Sequence, residues 1–267
     1  MSSHPSHRPQ KRDATHLDWW TGSGLSTMFY LDYPIKHGDI RTMTLTNSFT
    51  ASLISNLSAK HLLKHKFYQA WTEGTIPVAT LQTYAQQYYH HVKAFPRYIS
   101  ATHSNCEDIE ARQFLLENLN DEEKGTEHHP ELWLRFAEGL GTTRAAVKGA
   151  TPLPETQDLV DTFFASCRKS YAEGLGTLFA YEHQIPEVAT FKIDALKKHY
   201  STNMINEEST LSFFEVHRQA DVFHTQTITQ LLDGLTPAEK TLAEAAAHTA
   251  TDRLWKFLDG ITNTMPV

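Results

Sequence analysis

Three side chains of the types that often bind metals lie close together in one stretch of the chain. His217, Asp221 and His224 stand at i, i+4 and i+7, which places them within an arc of roughly 60° on one helix face. Imidazole and carboxylate together are typical ligands of iron, manganese and zinc. A solvated face with two ordinary histidines is the alternative. We favour a metal-binding helix, because the intervening residues are mostly apolar and buried His and Asp without partners would be costly.

A pair of metal ions needs about six protein ligands, so other segments must supply the remainder. Glu182 follows an apolar run and directly precedes a helix break. Glu122 and His129 stand at i and i+7, although Gly125 and Pro130 argue against an unbroken helix between them. On composition alone, three neighbouring side chains could serve as metal ligands equally well, namely Glu123, Glu127 and His128. The alternative for all of these candidates is that they are solvated loop residues without a ligand role.

The charges of the candidate ligands suit two divalent ions. Glu122, Glu182 and Asp221 would bring three negative charges, and three neutral imidazoles would fill the softer positions. Carboxylates can bridge two metal ions about 3.5–4 Å apart. Ferritin-like bundles use paired Glu-x-x-His motifs for this purpose. The candidate sites here carry His-x-x-x-Asp-x-x-His instead, so we expect a different helical fold.

Helical periodicity extends over nearly all of the chain from residue 46 onward, and strand-type alternation is essentially missing. We therefore predict an all-α domain of about eight to ten helices over residues 43–267. Asn206 should cap the metal-binding helix, which should end by Gly234, and Thr236 with Glu239 forms a capping box for the last helix. Residues 1–42 are polar and irregular, which predicts a disordered or loosely attached extension, and Met43 is a second candidate start.

Three local signals predict where the other helices begin and break. Ser58 should cap a helix that runs to Gly74. Residues 81–103 should form one long helix with a kink at Pro96. Gly174 and Gly176 should interrupt the helix that precedes Glu182.

Composition excludes several function classes. The net charge is −7, with 24 Lys and Arg against 31 Asp and Glu, which argues against nucleic acid as a partner. No apolar run of about 18 residues and no signal sequence is visible, so we expect no membrane association and a cytoplasmic location. Cys106 and Cys167 are far apart and outside any C-x-x-C pattern, as expected of buried thiols in a reducing compartment.

Six motifs follow one another in an order that is specific when they are taken together. They are His65-Lys66-Phe67-Tyr68-Gln69-Ala70-Trp71, Ala94-Phe95-Pro96-Arg97-Tyr98, Asp121-Glu122-Glu123, His129-Pro130-Glu131-Leu132-Trp133, Tyr181-Glu182-His183-Gln184-Ile185-Pro186-Glu187 and the helix with His217, Asp221 and His224. Over residues 46–261 the chain resembles the haem-oxygenase-like di-metal oxidases. The resemblance is closest to the branch typified by the Chlamydia protein associating with death domains.

This resemblance implies a compact haem-oxygenase-type bundle, the fold of PqqC-like and TenA-like proteins, that holds two metal ions instead of haem. The ions would be two irons or an iron–manganese pair, with O2 as co-substrate and an external reductant. The resemblance implies six ligands, and this sequence has them all: Glu122, His129, Glu182, His217, Asp221 and His224. Helical bundles of this kind often pair, so a homodimer is an open alternative.

The same resemblance implies a self-sacrificing synthesis of 4-aminobenzoate, the folate precursor, in which a tyrosine of the protein supplies the ring. By position in the shared motifs this tyrosine would be Tyr68, with Tyr84 assisting and Tyr181 lining the site. Lys192 would match the proposed donor of the amino group. Phe213 stands where relatives carry a further tyrosine, so we do not expect their electron path to be copied unchanged.

The implied chemistry is physically coherent. Conversion of a tyrosyl side chain into 4-aminobenzoate replaces the ring oxygen with nitrogen, cleaves Cα–Cβ and oxidises Cβ to a carboxylate. These oxidations require O2 and a redox-active metal pair, and a desolvated lysine can lose its proton and act as a nucleophile. Without the resemblance, Tyr68 would be read as a packing residue and Lys192 as a solvated helix lysine.

Three other functions remain as alternatives. The first is a di-iron oxygenase or oxidase that turns over a free small molecule many times. The second is metal-free chemistry, either a PqqC-like cofactorless oxidase or a thiamine-salvage hydrolase, and the latter would need a catalytic cysteine. A protein-binding module without enzymatic activity ranks last, since no partner surface is visible in the sequence.

Overall fold

The computed structural model describes residues 48–265, except the side chains of residues 219–223. Within that range the chain forms twelve α-helices and no strand, so the predicted all-α class is confirmed. The prediction of a loosely attached segment 1–42 falls outside the described residues. The helices, in chain order, are α1 (Phe49–Leu57), α2 (Lys66–Thr72), α3 (Val78–Val92), α4 (Phe95–Ser104), α5 (Ile109–Glu123), α6 (His129–Gly139), α7 (Arg144–Gly149), α8 (Pro154–Lys169), α9 (Tyr171–Glu182), α10 (Ile185–His199), α11 (Glu207–Asp233) and α12 (Pro237–Asn263).

The two longest helices begin and end where their capping residues indicate. Asn206 caps α11 by accepting a hydrogen bond from the amide of Ser209, and Gly234 follows the last residue. Thr236 and Glu239 form the reciprocal capping box at the start of α12. These contacts satisfy amide groups that have no partner inside the helix. The cap that starts the candidate metal-binding helix is therefore confirmed.

Two of the predicted helix boundaries are wrong. Ser58 ends α1, where its amide bonds to the Ser55 carbonyl, and two 3₁₀ turns follow before His65 caps α2. The segment 81–103 is two helices rather than one kinked helix, since α3 ends at Val92 and α4 begins at Phe95. Pro96 lies in the first turn of α4, where its missing amide hydrogen costs nothing, so the chain starts a new helix there.

Helix α9 lies at the centre of the fold. It packs against α8, α11 and α12, and every residue from Ala172 to Glu182 is buried. A helix that is surrounded on all sides has an apolar composition on all faces, as its sequence shows. Among the described residues, none of the helices combines the length and the apolar character that crossing a membrane requires.

The prediction that Gly174 and Gly176 break this helix is wrong, because α9 continues through both. Their role is close packing. A Cβ at Gly176 would overlap the backbone carbonyl of Ala243 on α12, and one at Gly174 would overlap the side chain of Thr102 on α4. The glycines thus allow neighbouring helices to approach α9 closely, at a helix-propensity cost of about 1 kcal/mol each.

We predict that Gly176→Ala destabilises the protein by about 1–3 kcal/mol. The added Cβ would overlap the backbone carbonyl of Ala243, which cannot rotate away as a side chain could. Chemical denaturation measures the change. Gly149→Ala is the matched control: Gly149 ends α7 with no atom within 4 Å of an added Cβ. That variant should stay within about 0.5 kcal/mol of wild type. Equal stabilities for the two variants would contradict the close-packing interpretation.

Candidate metal centre and tyrosine cluster

Three of the predicted ligands meet in the interior of the protein. Ligand atoms of Glu122, His129 and His217 all lie within 4.8 Å of one another, and all three side chains are buried. A Glu122 carboxylate oxygen is 2.8 Å from His129 Nδ1, and the rings of His129 and His217 are 4.2 Å apart. One carboxylate and two imidazoles are a donor set that suits iron, manganese or zinc. The residues therefore fit a metal ion at this point.

The turn between α5 and α6 brings Glu122 and His129 together. Glu122 lies in the last turn of α5 and His129 is the first residue of α6. Between them Gly125 takes a left-handed conformation with φ of 82°, which glycine adopts without strain. The i, i+7 spacing is therefore bridged by a turn between two helices and not by a shared helix face, in agreement with the helix breakers in the sequence.

His217 is oriented by its own helix. Its Nδ1 donates a hydrogen bond to the Phe213 carbonyl over 2.7 Å, which fixes the tautomer and leaves Nε2 as the ligating nitrogen. Burial, together with the nearby His129, holds the pKa of His217 well below its usual range. The imidazole is therefore neutral at physiological pH, which is the form that binds a metal.

Glu182 is held at the end of α9 by an amide that sequence reasoning missed. The Asn118 side chain donates to a Glu182 carboxylate oxygen over 2.9 Å, and both residues are buried. Asn118 stands one helical turn before Glu122 on α5, so one helix face holds both a candidate ligand and the group that orients another. Asn at this spacing on a largely polar helix carries too little information to be singled out from sequence alone.

His224 is buried on α11, two turns beyond His217. Its Nε2 lies 3.0 Å from the carboxylate of Asp121, the neighbour of Glu122 on α5. A carboxylate that holds one imidazole nitrogen is the arrangement that commonly orients metal-ligating histidines. Asp221 lies in the same helix, but its side chain is outside the described residues. The structure thus gathers Glu122, His129 and His217, with Glu182 and His224 attached to α5 through neighbouring side chains.

A second buried cluster contains the remaining predicted site residues. Lys192 Nζ donates to the Tyr84 hydroxyl over 2.8 Å, and that hydroxyl lies 3.5 Å from the Tyr68 hydroxyl. None of the three side chains exposes more than 3% of its surface. Burial raises the pKa of both phenols, which keeps them protonated near neutral pH. Lysine and phenols therefore lie within one dry cluster.

Aromatic rings surround the amine of Lys192. Burial lowers the pKa of this amine to about 7, so the neutral and charged forms coexist near neutral pH. Cation–π attraction acts in the opposite direction and favours the ammonium. Six ring centroids lie 5.1–6.0 Å from Nζ, and they belong to Tyr68, Trp71, Tyr84, Tyr88, Trp133 and Phe214.

Two aromatic residues that the sequence analysis did not assign to the site, Tyr88 and Trp133, connect the two clusters. The Tyr88 hydroxyl donates to the Tyr181 hydroxyl over 2.9 Å, and Tyr181 precedes Glu182 in α9. The Trp133 ring lies 4.9 Å from that of Tyr88 and 4.8 Å from that of Phe213. Phe213 in turn contacts His217 at 4.0 Å. Continuous ring contact therefore joins the candidate metal-binding histidines to the lysine and the phenols.

The chain is similar in sequence to a family of redox enzymes and to two curated proteins. Residues 82–256 match the family model described as iron-containing redox enzymes of the haem-oxygenase type. The chain is 42% identical over 228 residues to a 4-aminobenzoate synthase of Nitrosomonas europaea, covering 81% of this chain and 92% of that protein. It is 37% identical over 219 residues to a 4-aminobenzoate synthase of Chlamydia pneumoniae, covering 81% and 96%.

Solved structures share the fold at lower identity. A TenA homologue from Pseudomonas syringae aligns with a TM-score of 0.68 at 15% identity, over 83% of this chain and 96% of that one. A CADD-like protein from Nostoc punctiforme aligns with a TM-score of 0.67 at 18% identity, over 82% and 97%. The helical fold, the family match and the buried donor set together define a helical redox enzyme with residues that could hold a metal ion. The chain belongs to the iron-containing redox enzyme family of haem-oxygenase-like proteins, and it is an oxidoreductase.

We predict that His217→Leu weakens Fe(II) binding by at least about 100-fold, since even groups that only orient a ligand commonly contribute 10–100-fold. Leucine fills the space without offering a donor atom. Elemental analysis and Fe(II) titration after anaerobic reconstitution measure the loss. The exposed His248 on α12 provides the control His248→Leu, which should bind metal like wild type. Full metal content in His217→Leu would contradict the assignment of this ligand.

We also predict that Lys192→Met stabilises the protein, by about 1–4 kcal/mol at pH 6, the range seen when apolar groups replace buried charges. Because the folded-state pKa of about 7 lies below the unfolded value, wild-type stability rises with pH between about 7 and 10.5. The stabilisation by methionine should therefore be largest below pH 7 and shrink as the pH rises. Denaturation curves at several pH values test this, with the exposed Lys197→Met on α10 as control.

Proposed function

We propose that this protein is an O2-dependent 4-aminobenzoate synthase that consumes its own Tyr68 as the source of the ring, with Lys192 as the donor of nitrogen. The observation that carries the proposal is the buried chain of contacts from the Lys192 amine to Tyr84 and on to Tyr68. The names of the relatives from Nitrosomonas and Chlamydia support the same product. 4-Aminobenzoate is the precursor of folate, so the protein would serve folate biosynthesis.

The surroundings of Tyr68 suit a side chain that is itself the substrate. Its ring stacks parallel to Trp71 at 6.0 Å and meets the ring of Phe191 edge-on at 5.9 Å, so its position is fixed before reaction. A bound substrate must lose translational and rotational freedom, whereas a side chain has already lost it on folding. The cavity beside Asn118 and His224 measures about 10 Å³, which suits one water molecule rather than an aromatic substrate.

The nitrogen transfer requires an amine with a free electron pair. The ammonium form of Lys192 cannot attack an oxidised ring, and the neutral form can. Because burial brings the pKa of this amine to about 7, a large share of the molecules holds the neutral amine at physiological pH. The hydrogen bond to Tyr84 keeps that nitrogen beside the two phenols. Lys192 therefore has both the protonation state and the position that a nitrogen donor needs.

Two metal ions complete the proposal. Glu122, His129 and His217 would hold one of them, and Glu182, Asp221 and His224 would provide the remaining ligands. When bound, an iron pair or an iron–manganese pair supplies the redox chemistry with O2 that the cleavage of Cα–Cβ needs, with electrons from an external reductant. The buried carboxylates and imidazoles of this chain would hold the ions in a site away from bulk water.

A cofactorless oxidase is the second candidate function. Pyrroloquinoline-quinone synthase of Acinetobacter calcoaceticus is 28% identical over 232 residues, covering 81% of this chain. The buried cluster of Glu122, His129 and His217 favours metal-dependent chemistry over this alternative, since one carboxylate and two imidazoles within 4.8 Å of one another are a donor set suited to iron or manganese. A metal oxygenase that acts on a free substrate would use the same ligands, but it would not consume Tyr68.

We predict that Tyr68→Phe abolishes the production of 4-aminobenzoate while metal content stays at the wild-type level, because the substitution removes the ring oxygen without disturbing the ligands. Liquid chromatography with mass spectrometry after exposure to Fe(II), O2 and ascorbate measures the product. Tyr171→Phe, at the half-buried start of α9, is the control and should produce as wild type does. Undiminished product from Tyr68→Phe would refute the role of Tyr68 and favour a free substrate.

A further inference from the structure

Tyr88 is in contact with both ends of the phenol cluster. It follows Tyr84 by one turn of α3, and the two rings stack at 5.3 Å with an angle of 20° between their planes. Its hydroxyl donates to that of Tyr181 over 2.9 Å. Tyr88 therefore joins the tyrosine beside Glu182 to the pair formed by Tyr84 and Tyr68.

We propose that Tyr88 is a redox-active relay residue, which passes an oxidising equivalent from Tyr181 to the pair formed by Tyr84 and Tyr68. This inference rests on the proposed function, because it assumes that Tyr68 is oxidised within the protein. It adds a residue to that function, because Tyr88 would transfer the oxidising equivalent between the phenols of Tyr181 and Tyr84.

The first step is the transfer of a hydrogen atom along the hydrogen bond. The Tyr181 phenoxyl radical takes one electron and one proton from Tyr88, which leaves the intact Tyr181 phenol and a Tyr88 phenoxyl radical. The short distance between the oxygens, 2.9 Å, lets the proton move with the electron, so no charge is created in the core. The metal pair that Glu122, His129, Glu182, His217, Asp221 and His224 would hold would supply, with O2, the oxidising equivalent that removes one electron and one proton from Tyr181.

The second step moves an electron through the stacked rings. The Tyr88 radical accepts one electron from Tyr84, while the Tyr84 proton passes to the neutral Lys192 amine 2.8 Å away. The immediate products are a Tyr84 radical, a Tyr88 phenolate and a Lys192 ammonium, so the total charge is unchanged. Lys192 Nζ lies 5.4 Å from the Tyr88 ring centroid, and attraction between the new opposite charges offsets the cost of separating them in the core. The ammonium then gives this proton to the Tyr88 phenolate, which restores the Tyr88 phenol and the neutral amine that nitrogen donation requires.

The alternative path from the metal-binding histidines is less suited to this task. It runs through Phe213 and Trp133, and a phenylalanine ring has no phenol proton and is hard to oxidise. Each ring on the Tyr88 path carries a hydroxyl. Tyr88 is also 5% exposed, so a radical on it is protected from solvent. Burial and phenol chemistry together distinguish the Tyr88 route.

Site-specific incorporation of 3-aminotyrosine at position 88 tests the relay. This analogue keeps the hydroxyl and is oxidised more easily than tyrosine, so it traps a passing oxidising equivalent as a stable radical. After exposure to Fe(II), O2 and ascorbate, we expect an aminotyrosyl signal by electron paramagnetic resonance and at least about a ten-fold lower yield of 4-aminobenzoate. The control is 3-aminotyrosine at position 89, the next residue of the same helix, whose native ring lies 5.7 Å from the amine of Lys93. It should give no signal and the wild-type yield.

Tyr88→Phe provides the second variant, since it retains the stacked ring and removes only the hydroxyl. We expect wild-type metal content and thermal stability within a few degrees, with the same loss of yield. The relay would be overturned if both Tyr88 variants made as much 4-aminobenzoate as the wild type and the aminotyrosine variant gave no radical signal. That result would leave the proposed function intact. Wild-type protein that makes no 4-aminobenzoate and retains Tyr68 would overturn the proposed function, and the relay with it.

Discussion

The burial of ionisable side chains in a helical core is the constraint on which the rest of this structure depends. Glu122, Glu182 and Lys192 are each at most 3% exposed, and removal of such groups from water is costly unless partners compensate. On the carboxylate side, compensation comes from imidazoles and an amide, and the proposed metal ions would add to it. On the lysine side it comes from a lowered pKa, a phenol oxygen and a shell of aromatic rings. Each solution yields a chemically reactive group.

The helices serve to hold these groups in fixed relative positions. The turn between α5 and α6 brings a carboxylate against an imidazole, and α11 adds His217 to the same cluster. Helix α9 carries Tyr181 and Glu182 at its end and is enclosed by its neighbours because two of its residues are glycine. Sites built on packed helices are held more rigidly than sites built on loops. Rigid placement suits a reaction between side chains of a single chain.

Much of this architecture could be predicted from the sequence, because the signals are local. Asn206 and the pair of Thr236 and Glu239 mark helix starts through contacts within four residues, and the helical period of the chain gives the all-α class. The continuity of α9 could not be predicted from the sequence. Gly176 is needed because a Cβ there would overlap the backbone of Ala243, which lies 67 positions further along the chain. Asn118 and Tyr88 were missed for the same reason. Their partners, Glu182 and Tyr181, are distant in sequence, and an Asn or a Tyr in a helix is usually a packing or surface residue.

The central claim is that the protein supplies both the ring and the nitrogen of its product from one buried cluster. Isotope labelling tests this claim directly. The protein is grown with ring-¹³C tyrosine and ε-¹⁵N lysine and purified. It is then reacted with Fe(II), O2 and ascorbate in buffer that contains unlabelled tyrosine and ammonium. The account predicts 4-aminobenzoate that carries both labels, at no more than one molecule per chain. Unlabelled product, or more than one molecule per chain, would contradict it and would identify a catalyst acting on a free substrate.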